Sequence, residues 1–284
     1  MKNELSPTLT KEKEQDAQRA LAKQNHQALQ KVQNYDALNL ERDPGSRWVN
    51  MSNALAQAGH GLTLAEKRLM MMGVSKLDSR RALSPLQTLK TKITAAEYAE
   101  ENEVDINTAY DQLQSAAKSL YERSITFFEP QVKGRNADPR AIKVQMRWVG
   151  SVHYHKGEGW IELSWWHELL PHLTFLRARY TKYQLQQGSA LRSVYSWRLL
   201  ELLLKFEKTG WAEYSIDAFC VAMDATEKQR KDFNNIRRRM IEPAIEELQS
   251  KNGWLIQWKP LKKGRKVTAL RFDFKLDPQG RLDV

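Results

Sequence analysis

Between Asp232 and Leu248 the chain reads DFNNIRRRMIEPAIEEL, and Phe233, Ile236, Met240, Ile241, Ala244, Ile245 and Leu248 recur at steps of three and four. That spacing puts them on one stripe of an α-helix. Projected at about 100° per residue, Asn235, Arg238 and Arg239 fall on or near the opposite side. Arg237 falls close to the stripe, so its stem packs and its head reaches around the edge. A plain solvated surface helix would show the same amphipathicity. The next segment tips the balance. It is a β-hairpin, WLIQWKPLKKGRKVTALRF, that sets Lys262, Lys263, Arg265 and Lys266 around Gly264 at its tip. A buried stripe with a cationic, amide-bearing back suits a DNA groove.

The same grammar occurs upstream. Residues 1 to 50 are polar, Gln-rich and mixed in charge, and read as an extension outside any domain. Ala20, Leu21, Ala28, Leu29 and Val32 give it a thin helical stripe, stopped at Asp43, Pro44 and Gly45. Leu62 to Leu77 reads as a core helix opened by a Thr63–Glu66 capping box, its methionines filling gaps. A strand at Leu89 to Ile93 precedes a helix opened by Thr94 with Glu97. After a turn, a second helix starts near Asn107 with the stripe Tyr110, Leu113, Ala117, Leu120 and Tyr121. Thr108, Gln112 and Ser115 point away from that stripe, with Lys118 on the flank. A strand from Ser124 to Glu129 comes next, then a wing, Val144 to Val152 paired with Trp160 to Leu163 across Gly157 to Gly159.

Ser164 then reads as the start of a helix ended at Pro171, and Tyr180 to Leu185 as a strand broken by Gly188 and Ser189. The longest apolar helix runs from Ala190 to Phe206. Strand Trp211 to Tyr214, helix Ile216 to Met223 behind Ser215, the Arg-bearing helix and its hairpin complete a second copy of the pattern. The expected fold is α+β, mainly helical, with tandem duplicated winged-helix domains at residues 51–175 and 176–284.

Composition narrows the partner. The chain of 284 residues carries a net +11, and the stretch from Lys228 to Arg271 alone holds 13 Lys and Arg against 4 Asp and Glu. Positive charge is therefore local, the footprint of a polyanion-binding surface. A membrane is the weaker partner, because the richest apolar segment, Leu199 to Phe206, is broken by Glu201 and Lys205. Lys2, Glu4, Lys11, Glu12 and Lys13 interrupt any signal-peptide core. A lone cysteine, Cys220, excludes an intrachain disulfide and argues against thiolate zinc sites, so a cytoplasmic chain is the simplest account.

An enzymatic reading rests on His153 and His155, two residues apart and so on one face of a strand, with Tyr180 or Tyr183 downstream. Such a set mimics a metal-bound nicking site. The turn residues Lys156, Gly157 and Glu158 come directly after, and no third ligand presents itself. No Gly-rich phosphate cradle is present. The expectation is a non-enzyme without metal or cofactor; a dedicated transcriptional repressor shares every one of these features.

The segments LTLAEKRLMMM, ITAAEYAEENEVDINTAYDQLQSAAKSLYERSITFFE, FLRARYTKYQL with SVYSWRLLELL, and FNNIRRRMIEPAIEEL with KKGRKVTALRFDF resemble the iteron-binding replication initiators of theta-replicating plasmids. They cover roughly residues 60 to 275 in family order. The resemblance implies two winged-helix domains that bind directly repeated origin sites as monomers. It also implies dimers, joined through the first domain, that repress the protein's own gene at an inverted repeat, and contact with the host initiator and helicase machinery. Carried over by position, Asn235, Arg238 and Arg239 stand on the second reading helix, with Lys231 and Arg237 beside them, and Lys262, Lys263, Arg265 and Lys266 form its wing. Thr108 to Glu122 is the first-domain counterpart. Arginine suits guanine, and Asn235 or Gln112 suits adenine. Pro243 departs from a straight reading helix: it removes the bond to the Arg239 carbonyl, so the helix bends there or restarts with Pro243 in its first turn.

Overall fold

The computed structural model describes residues 42–80, 89–130, 141–155 and 157–277. The stripe from Ala20 to Val32 lies outside these residues. The described chain enters through a 3-10 turn, Pro44–Ser46, and then β1 (Trp48–Ser52), whose Val49 and Met51 are fully buried. The polar extension thus ends sooner than its composition suggested, because two apolar residues are enough to anchor a strand. Ser52 caps α1 (Asn53–Gln57). The Thr63–Glu66 capping box opens α2 (Leu64–Ser75), which buries Met70, Met71 and Met72 as core. β2 (Lys90–Thr94) leads into α3 (Ala95–Asn102), capped by Thr94 and Glu97, and Asp105 caps α4 (Ile106–Leu120).

The expected single strand from Val144 to Val152 is two strands. β3 (Ser124–Pro130) pairs with β4 (Ala141–Arg147), and β5 (Val149–His155) pairs with β6 (Trp160–Trp165). The break falls at Trp148, which is fully buried and donates its indole N–H to the His60 carbonyl at 2.9 Å. Its anchoring turns the chain from one sheet to the next. Nor does Ser164 open a helix: the strand runs on to Trp165, and a 3-10 segment, His167–His172, absorbs Pro171.

β7 (Tyr180–Gln184), read from sequence at the head of the second unit, pairs antiparallel with β1. Gly188 and Ser189 lie in a short helix, α5 (Leu185–Ser189), and the long apolar helix begins only after the Ser193 cap, as α6 (Val194–Leu204). Then come β8 (Trp211–Ser215), α7 (Ile216–Ala222), α8 (Glu227–Arg230) and α9 (Phe233–Ile236). A π turn, Arg237–Ile241, joins α9 to α10 (Glu242–Asn252), which Gly253 ends in the left-handed region at φ 63°. The hairpin β9 (Trp254–Lys263) and β10 (Lys266–Leu276) closes the described chain.

Duplication is visible in the sheets. The first runs β2-β6-β5 and the second β8-β10-β9, each a strand between two helices followed by a hairpin whose second strand pairs back onto it. The first unit adds the β3-β4 hairpin. Tandem winged-helix units in a mainly helical α+β chain are therefore what the sequence pattern encodes.

Candidate nucleic-acid interface

The candidate reading helix of the second unit is built from its caps inward. Asp232 accepts the Asn234 N–H and starts α9, and Ile236, Met240, Ile241, Ala244, Ile245 and Leu248 form the buried stripe. α10 packs on α6, while Phe233 meets Trp258 of β9 with ring centroids 6.5 Å apart. Helix and wing are thereby held as one body.

On the outer side Arg238, Arg239 and Lys231 are exposed. Arg237 is half-exposed and its Nε lies 3.5 Å from Glu242 Oε1. Asn235 is more enclosed than a regular projection implies: it is half-buried, and its Oδ1 has no hydrogen-bond partner. Lys262, Lys263, Arg265 and Lys266 are all exposed around Gly264, whose φ of 62° makes the tight turn. Helix and wing border a groove of about 680 Å³ whose cations are Arg230, Lys231, Arg237, Lys262, Arg265 and Lys266. Two residues there escaped the sequence reading. Arg230 Nε donates to the Ala225 carbonyl at 2.9 Å, bracing the turn before the helix, and Asn234 is exposed in the first turn. The Asp232 cap was the signal for Asn234, since capping fixes which residues open the helix.

The first-unit counterpart, α4, is differently charged. Between Asp105 and Glu122 it has three carboxylates, Asp105, Asp111 and Glu122, and one lysine, Lys118. Ser115 and Lys118 are exposed. Thr108 is spent on the helix start, where its hydroxyl and amide bond Asp105 and draw that carboxyl's pKa down. Gln112 accepts from the Tyr98 hydroxyl at 2.8 Å, which orients its amide from the inside. Glu66 lies beside this helix. Burial pushes its pKa up, but bonds from Ser119, the Thr63 N–H and Arg123 outweigh that and leave it lowered. Polar positions on α4 therefore serve the fold as much as the surface.

His153 Nδ1 sits 3.3 Å from Glu162, whose carboxylate also takes Lys90 at 2.9 Å. Among the described residues no group of three or more His, Cys, Asp or Glu is placed to hold a metal ion, and no helix is long and apolar enough to cross a membrane.

Comparison with known proteins agrees with this geometry. Residues 48–204 match the family described as Initiator Replication protein, WH1, and residues 215–274 match Initiator Rep protein, WH2. An Escherichia coli replication initiation protein is 25% identical over 236 residues, covering 81% of this chain and 70% of its own. An uncharacterized 27.6 kDa Escherichia coli protein is 25% identical over 223 residues, covering 74% and 88%. In fold, the chain superposes on a crystal structure of the Pi initiator protein in complex with iteron DNA with a TM-score of 0.66. That match has 22% identity and covers 82% of this chain and 99% of the other. With WH1 and WH2 matched in order along two structurally repeated units, the chain belongs to the Initiator Replication protein family.

Proposed function

We propose that this protein starts plasmid replication by binding directly repeated double-stranded sites (iterons) at an origin as a monomer. As a dimer it represses its own gene at an inverted repeat. One observation carries the reading most of the way: Arg238 and Arg239 stand exposed on a helix whose flank is a wing tipped by four cations. Lys231, Lys262, Lys263, Arg265 and Lys266 anchor phosphates, while Arg238 and Arg239 reach guanine edges and Asn235 an adenine. The first unit adds contacts from Ser115 and Lys118 and supplies the dimer surface. Its α4, with Lys118 as its one cation, leaves most base reading to the second unit. Thr108 and Gln112 complete that face, Thr108 fixed at the helix start by Asp105 and Gln112 oriented by Tyr98. Membership of the initiator family supports the role, as does likeness in fold to an initiator crystallised with iteron DNA.

The protein works without catalysis, metal or cofactor, in the bacterial cytoplasm, and hands the opened origin to host initiator and helicase machinery. Footprinting on the DNA flanking its gene tests the reading. Protection of an array of direct repeats supports an initiator; protection of a lone inverted repeat makes the protein a dedicated repressor. Metal-dependent nicking of a supercoiled origin, lost in His153→Ala with His155→Ala, would make it an enzyme instead.

A further inference from the structure

Three consecutive arginines stand at the turn where the reading helix leaves regular α geometry. In a straight α-helix the Glu242 N–H would bond the Arg238 carbonyl, four residues back. It bonds the Arg237 carbonyl instead, five residues back. Pro243 explains the slip: it has no N–H for the Arg239 carbonyl, and its ring would press on that carbonyl in a regular turn.

Side chains record the same slip. Arg237 and Glu242 are five apart, which a regular helix would set about 140° apart, yet they form an ion pair at 3.5 Å. In a regular helix Glu242 would stand at i+4 from Arg238 and i+3 from Arg239, the two spacings at which a carboxylate and a guanidinium meet. Here, among the described residues, neither the Arg238 nor the Arg239 side chain makes a hydrogen bond or ion pair.

Resting on the DNA-reading role proposed above, we infer that Pro243 is a positioning residue for recognition. By imposing the π turn it commits Glu242 to Arg237 and leaves Arg238 and Arg239 unneutralised for base edges. Replacing Pro243 restores the missing N–H and lets the helix regularise, which brings the Glu242 carboxylate onto the two reading arginines.

Pro243 is exposed, so Pro243→Ala and Pro243→Ser disturb no core packing. The experiment measures the affinity of the full chain for its own direct repeat and for random DNA of equal length, at fixed salt, beside thermal unfolding. Either substitution should lower the ratio of specific to random affinity by about tenfold or more. Adding Glu242→Gln to Pro243→Ala should return most of the ratio, a rescue that a merely structural proline would not give. Unfolding temperature should not fall. An unchanged ratio overturns the inference, and so does a parallel loss on both DNAs that Glu242→Gln fails to repair. A wild-type protein that does not prefer its repeat would remove the proposed function itself, a result distinct from either.

Discussion

Lys67 of α2 and Glu201 of α6 form an ion pair at 2.7 Å with both side chains wholly shielded from solvent. Tyr183 of β7 donates to the same carboxylate at 2.8 Å, and Arg198 pairs with its other oxygen. The Arg198 guanidinium also donates to the Ala56 and Ala58 carbonyls at 2.9 and 2.6 Å, and to the Ala222 carbonyl at the end of α7 at 2.9 Å. One side chain thus ties helix ends from both winged-helix units. Asp224, just past α7, adds a second tie by accepting the N–H groups of His60 and Gly61 at 3.1 and 3.0 Å.

Breaking this network should be costly. Burial pulls the Lys67 pKa down to about 8 against the pull of Glu201, which leaves most of Lys67 charged at neutral pH. Removing Glu201 leaves Lys67 and Arg198 buried without their shared carboxylate, at about 3–5 kcal/mol, while removing Lys67 leaves Glu201 its Arg198 partner. Glu201→Gln should lose stability on that scale in urea unfolding, Lys67→Met less, and the double variant less than the sum. A Glu201→Gln variant within about 1 kcal/mol of wild type would show that the pair does not hold α2 to α6.

His60 gives the fold an acid sensitivity. Its ring lies between Lys67 and Arg198, with Nδ1 3.0 Å from Lys67 Nζ and Nε2 2.8 Å from the Leu55 carbonyl. Burial, then the charges of Arg198 and Lys67, hold its pKa well below 6.5. As pH falls below about 6.5 the unfolded chain therefore takes up a proton that the folded chain refuses. Stability should drop by about 1.4 kcal/mol per pH unit from this group alone. His60→Gln should start less stable but lose that slope between about pH 6.5 and 5. Glu66 and Glu97, whose pKa values are lowered, add their own loss only in more acid solution. A wild-type slope in the variant would assign the sensitivity elsewhere.

The parts of the molecule behind these predictions differ in how legible they are from sequence. The stripe from Ile236 to Leu248, the two capping boxes and the basic hairpin tip were written in local spacing, and local spacing is what caps and helices obey. β1 was missed because five residues, only two of them apolar and buried, leave little periodicity; its partner β7 lies more than a hundred residues away. The split at Trp148 depends on the distant His60 carbonyl, and the enclosure of Gln112 on Tyr98. No window of sequence contains both ends of such contacts. At Pro243 the sequence exposed the conflict, while its resolution as a π turn shows only in the backbone, where the Glu242 N–H reaches the Arg237 carbonyl.

Within the basic region the roles should separate. Arg238→Ala and Arg239→Ala should weaken binding to the specific repeat far more than to random DNA, by about 1–3 kcal/mol for each base-edge interaction removed. Lys262→Ala with Lys263→Ala should weaken both alike. It should also reduce the slope of log affinity against log salt by about one unit per phosphate released. Equal profiles for the two pairs, on specific and random DNA, would erase the distinction between reading helix and wing.

Assembly is constrained by the presence of two winged-helix units on one chain. Two reading helices on a monomer can span neighbouring major-groove segments of one asymmetric site, about 10 bp apart on one face. A two-fold dimer requires an inverted repeat, because its axis must be matched in the DNA. If the first unit forms the dimer contact, it is not available to sit on DNA in the monomer's pose. The two forms must then differ in how the units are placed, and the contacts that cross between them, Arg198 to the Ala222 carbonyl and Asp224 to the His60 and Gly61 N–H groups, are what that change has to disturb. Direct repeats should therefore draw the population toward monomer, and inverted repeats toward dimer. Sedimentation of the protein with each DNA reads this out: one chain per direct repeat, two per inverted repeat, and a shift toward monomer on dilution. Glu201→Gln, by freeing Arg198 from its carboxylate partner and so loosening its hold on the Ala222 carbonyl, should change the monomer–dimer balance in the absence of DNA. The same stoichiometry per half-site on both DNAs, unaffected by dilution or by Glu201→Gln, would remove the switch.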